Sequence, residues 1–164
     1  MHALAFQLIV ALLGAREVNF DAVDRQARAV AAVVESESLP YVGRDAKRRT
    51  TRLLVALAYQ ESGLREEIEQ CRWTPVKGMT QDDGRSVGLL QLYQGWSWRG
   101  HTRAEICGDA ELQFRLALRY LTEQVRRCGS VELALTSYNR NQCAVSIYSS
   151  GVMRVYRRLE RLPL

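Results

Sequence analysis

Histidine is nearly missing from this 164-residue chain, which carries only His2 and His101. Its four cysteines, Cys71, Cys107, Cys128 and Cys143, include no Cys-x-x-Cys pair and have no histidine beside them. Both absences argue against a structural zinc site, and no nucleotide, metal or other cofactor is implied. Long apolar runs are missing too. Ala3 to Leu13 is almost entirely apolar and is followed by Gly14-Ala15-Arg16, yet it is too short to span a bilayer. No basic residue precedes it, only His2, so the core of a signal peptide, a short buried helix and a segment docking on a partner all fit. Repeats, low-complexity tracts and linkers are lacking, so a second independent domain is not expected.

What is present is a hydrophobic fraction of 47%, enough for one core, and a net charge of +5 from 23 basic and 18 acidic residues. That balance favours anionic partners: nucleic acid, acidic membrane surfaces or wall polymers. The densest basic run, Lys47-Arg48-Arg49 with Arg52, lies on a predicted helix without interleaved aromatics. It reads as a solvated helix face rather than a nucleic-acid site.

Helical spacing of Val23, Ala27, Val30, Ala31 and Val34 after the capping residue Asn19 predicts a helix from Phe20 to Ser36. A second helix is expected from about Asp45 to Ser62, with Leu53, Leu54, Leu57 and Ala58 inward and Gly63 as its stop. Between Cys71 and Gly108, glycines and Pro75 break the pattern, and Asp82-Asp83-Gly84 signals a turn, so a small hairpin around Asp83-Gly84 is possible. Helix resumes from Asp109 to Arg127, then from Val131 to Ser137 and from about Val152 to Arg158. The class is mainly α.

Three segments carry the chemistry. Tyr59-Gln60-Glu61-Ser62-Gly63 ends the second helix, and Glu61 lies four residues after Leu57, on the face that packs inward. A carboxyl desolvated there has its neutral form favoured, as a general acid working near neutral pH requires. In Gly88-Leu89-Leu90-Gln91-Leu92, the amide of Gln91 needs partners, which a sugar hydroxyl, an acetamide or the loop backbone can supply. The third segment is Leu135-Thr136-Ser137-Tyr138-Asn139.

In this order the three segments resemble the signature of lysozyme-like lytic transglycosylases and goose-type lysozymes, over about Leu53 to Tyr156. Leu90 stands where methionine is usual, Ser137 where alanine is usual and Asn141 where glycine is usual. The resemblance implies a lysozyme-like α+β fold and says little about the first forty residues; residues 1–40 are read as an N-terminal helical segment and 41–164 as the catalytic domain. It implies peptidoglycan glycan strands as substrate and an extracytoplasmic setting: periplasmic, secreted or virion-associated. A secretion-system or phage virion assembly is a compatible partner, and nucleic acid is not.

By resemblance, Glu61 is the catalytic acid, Tyr138 hydrogen bonds and orients it, and Asn139 supports the substrate or the tyrosine; Gly88, lacking a side chain, would let the backbone approach the ligand or the Glu61 helix closely. Trp96 and Trp98 suit either sugar stacking or a hydrophobic anchor for the loop; Ser62 and Ser86 are possible polar supports. Glu66, Glu67 and Glu69 read as a solvated acidic face. A lytic transglycosylase needs one glutamate, which protonates the glycosidic oxygen between MurNAc and GlcNAc and then deprotonates the muramyl 6-hydroxyl to close a 1,6-anhydro ring. A hydrolytic muramidase needs a second carboxylate roughly 6.5–9.5 Å away, for which Asp82 and Asp83 are candidates. Their turn chemistry is sufficient explanation, so the transglycosylase is favoured. A wall-binding or virion structural module with an inactive Glu61 is the third reading.

Four cysteines allow three connectivities. The sequential one, Cys71 to Cys107 and Cys128 to Cys143, has the attraction that each bridge encloses one cleft segment.

Overall fold

A computed structural model describes residues 1–14, 18–72 and 85–163. Asp82, Asp83 and Gly84 lie outside the described residues, as does the turn predicted there. Eight helices occur among those described: α1 (His2–Leu13), α2 (Phe20–Ser36), α3 (Ala46–Ser62), α4 (Glu66–Glu69), α5 (Arg103–Ile106), α6 (Ala110–Cys128), α7 (Val131–Arg140) and α8 (Ile147–Glu160). Two short strands, β1 (Ser86–Val87) and β2 (Leu92–Tyr93), pair antiparallel with Ser86 opposite Tyr93 and Val87 opposite Leu92. The class is mainly α, in keeping with a lysozyme-like fold.

Local chemistry sets the helix ends. The Asn19 side chain accepts from the N–H groups of Asp21 and Ala22 at the start of α2, and Asp109 accepts from Leu112 N–H at the start of α6. Gly63 closes α3 in a left-handed conformation, its N–H donating to the Tyr59 carbonyl.

The helix α3 is the axis of the core. Leu53, Leu54, Val55, Ala56, Leu57 and Ala58 are consecutive and all buried, so this stretch is enclosed on every side rather than along one stripe. Packing runs from α3 to α2, α2 to α6, α6 to α7, α7 to α8 and from α8 back to α3. Across α2 and α3 lies α1, which buries Ala5, Leu8, Ile9 and Leu12. Of the readings open for the apolar amino terminus, the structure displays the buried helix.

Both bridges take the sequential pairing, Cys71–Cys107 and Cys128–Cys143, with Cα atoms 5.4 and 5.2 Å apart. The first encloses the hairpin and the second encloses α7.

The acidic cluster after α3 departs from expectation. Glu69 is fully buried; it accepts from Arg25 Nε at 2.6 Å and from Gln26 Nε2 at 2.8 Å. A carboxylate that deep is kept only because charge and hydrogen bonds replace its water.

Candidate active site

Because α3 is enclosed up to Ala58, its next inward position puts the Glu61 carboxyl, partly buried, at the foot of the core. Burial pushes this carboxyl from its ordinary value of 4.5 up to about 7; a hydrogen bond from Tyr148 opposes the shift. The donor is the Tyr148 hydroxyl and the acceptor is Glu61 Oε1. The phenol is itself held well above its usual range by burial, with the Glu61 charge adding to the effect. Among the described residues, no other carboxylate perturbs Glu61.

Tyr148 reaches this place from the first turn of α8. Ser146 caps that helix, its Oγ accepting from Ser149 N–H while Ser149 Oγ accepts from Ser146 N–H. Farther along, Gly151 faces Gln60 of α3, where a Cβ would come within 3.2 Å of the Gln60 Oε1. The missing side chain lets α8 lie close enough for the phenol to meet the carboxylate.

Tyr138 is buried on α7, but its hydroxyl donates to the Leu90 carbonyl at 2.8 Å rather than to Glu61. It still feels the carboxylate: after burial, the Glu61 charge is the next cause raising its phenol. Its ring also packs on Tyr120, with centroids 5.5 Å apart. Tyr138 therefore fastens the 88–91 turn, and Tyr148 takes the contact with Glu61.

That turn is the tip of the hairpin. Gly88 at φ 74° and Gln91 at φ 44° both adopt left-handed conformations, and Gln91 N–H donates to the Gly88 carbonyl at 3.1 Å. Gly88 does permit a close approach, but to α6: a Cβ there would sit 2.5 Å from the Gln113 amide. Gln113 accepts from Leu89 N–H at 2.8 Å and donates to the carbonyls of Glu69 and Ile106, tying the hairpin to α4 and α5. Gln91 Nε2 donates to the Gly88 carbonyl at 2.9 Å, the loop-backbone partner foreseen as one alternative.

The remaining candidates divide. Trp98 is buried and its Nε1 donates to the Leu92 carbonyl at 2.7 Å, so it anchors the loop. Trp96 is 40% exposed and packs on Tyr93 with ring centroids 4.3 Å apart, a ledge accessible to a sugar face. Ser62 Oγ donates to the Ala58 carbonyl at 2.8 Å and accepts from Leu64 N–H, completing the end of α3. Ser86 lies half-buried in β1, and Asn139 is exposed, its Oδ1 accepting from Arg140.

Both departures from the family pattern on α7 meet one residue. Arg127 donates to Ser137 Oγ at 2.9 Å and to Asn141 Oδ1 at 2.7 Å, and Asn141, capping the end of α7, is left-handed at φ 57°.

The site thus sets a partly buried, protonatable glutamate at the end of the central helix of a lysozyme-like domain, with one oxygen engaged by Tyr148. Residues 38–153 match the family model of the transglycosylase SLT domain, and the chain belongs to that family, whose members are lytic transglycosylases acting on peptidoglycan. No curated protein and no solved structure matches the chain significantly. The family match takes in α3 to the first half of α8 and leaves out α1 and α2.

Proposed function

We propose that this lytic transglycosylase cleaves the β-1,4 bond between MurNAc and GlcNAc with Glu61 as its single acid and base. The observation that carries the reading is the Glu61 carboxyl raised to about 7 with one oxygen engaged by Tyr148. At neutral pH such a group is populated in both protonation states, as a residue that gives and then takes a proton must be.

Protonated Glu61 donates to the glycosidic oxygen as the bond to the muramyl anomeric carbon breaks. The N-acetyl oxygen of the same sugar stabilises the cation that develops. The Glu61 carboxylate then accepts the proton of the 6-hydroxyl while that oxygen closes on the anomeric carbon, giving a 1,6-anhydro product without consuming water. With Oε1 held by Tyr148, Oε2 handles the proton, so Tyr148 acts as a positioning residue. The Trp96 and Tyr93 ledge is suited to stack against a sugar ring farther along the strand.

The substrate puts the site of action outside the cytoplasm, in compartments where two disulfides persist. Among the described residues, no helix is long and apolar enough to cross a membrane. The test is release of soluble muropeptides from purified peptidoglycan, which E61Q should abolish while keeping the wild-type fold. Undiminished release by E61Q would remove Glu61 from the mechanism.

A further inference from the structure

At the pole opposite Glu61, α3 begins and α8 ends. The two helices run antiparallel: Tyr148 meets Glu61, Gly151 faces Gln60, and Tyr156 lies beside Tyr41, whose ring carries the Arg49 guanidinium at 3.9 Å. This arrangement gathers the exposed Arg44, Lys47, Arg48 and Arg49 with the exposed Arg157, Arg158 and Arg161 at one end of the molecule, whereas Arg52 has its Nε buried and Arg154 lies one turn past Gly151, toward the middle of α8. Against these seven stand Asp45, Glu160 and Glu35, the last paired with Lys47, leaving an excess of four of the chain's net five. The rest of the protein is therefore close to neutral, and its positive field comes from this pole.

Six of the seven cations are arginines, whose planar forks match phosphate oxygens in pairs. Val42, between Tyr41 and the basic start of α3, is 90% exposed. A soluble polyanion offers nothing to a protruding aliphatic side chain. A lipid surface offers phosphates for the arginines and, just beneath, an apolar layer for the valine.

We propose that this pole docks on an anionic phospholipid surface. Arg49 and Glu61 are separated along α3 by about 18 Å at the helical rise, so a docked molecule would hold its catalytic end away from the bilayer. The inference does not depend on the chemistry of Glu61.

The experiment is cosedimentation of the full chain with phosphatidylcholine vesicles, with and without phosphatidylglycerol, across a salt series. Binding is expected only with phosphatidylglycerol and should weaken as salt rises. R157Q/R158Q/R161Q should lower partitioning about a hundredfold, and V42S severalfold, while R28Q/R72Q/R126Q, which removes the same charge elsewhere, should leave it unchanged. Thermal melts and muropeptide release confirm that each variant is folded. No binding to phosphatidylglycerol vesicles, equal loss in the two arginine sets, indifference to V42S, or capture of DNA or soluble polyphosphate in place of vesicles would each overturn the proposal.

Discussion

Glu61 concentrates the energetic cost of this site in one side chain. The folded carboxyl keeps its proton to about pH 7, whereas an unburied one releases it near 4.5. The folded state therefore binds more protons through that window, and stability falls as pH rises across it. Allowing for partial exposure, the loss reaches about 2 kcal/mol above pH 7. E61Q, which cannot ionise, should melt at the wild-type temperature near pH 4 and several degrees higher at pH 8. Equal melting at both pH values would mean that the carboxyl titrates normally. Tyr148 acts in the opposite direction, since its hydrogen bond favours the carboxylate. Y148F should move the alkaline limb of kcat/KM upward by about one pH unit, because the unassisted carboxyl holds its proton longer. The same change should slow turnover about 10- to 100-fold, the worth of a hydrogen bond to a charged group. Lower activity with an unmoved limb would make Tyr148 a packing residue only.

Among the elements, the hairpin shows how closely loop and helix are fitted. Gly88 has no room for a side chain against Gln113 and holds a left-handed conformation as well. G88A should therefore cost about 3 kcal/mol, measured by urea unfolding; a cost under 1 kcal/mol would show that Gln113 swings aside freely. Residues 88–92 stood out in sequence as a motif, but the turn they form did not: the possible hairpin read at Asp83-Gly84 lies outside the described residues, and the left-handed Gln91 is held by hydrogen bonds invisible in sequence. The Phe20–Ser36 helix was readable to its ends because the Asn19 cap and apolar spacing agree. The start of α8 was not. The helix was expected from about Val152; in the fold it starts at Ile147, Gly151 lies inside it against Gln60, and the unforeseen first turn carries Tyr148. The Ser146–Ser149 capping box was the available signal. The resemblance gave Tyr138 the hydrogen bond to Glu61; in the structure that phenol feels the Glu61 charge, but its hydroxyl donates to the Leu90 carbonyl and Tyr148 bonds the carboxyl instead.

For the whole molecule, two bridges and a ring of helices hold the parts of the site in register. Cys71–Cys107 closes off the hairpin, Cys128–Cys143 closes off α7, and each contributes roughly 3–4 kcal/mol through the unfolded chain. The Glu61 end of α3 lies against the start of α8, and its opposite end carries the positive pole. The claim that one glutamate, Glu61, serves as both acid and base is decided by mass spectrometry of the products released from purified peptidoglycan. Wild-type protein should yield muropeptides ending in 1,6-anhydromuramic acid, and E61Q should yield none. Reducing muramyl ends released by the wild type would contradict the claim, because water would then have taken the place of the 6-hydroxyl and a second carboxylate would be required to activate it.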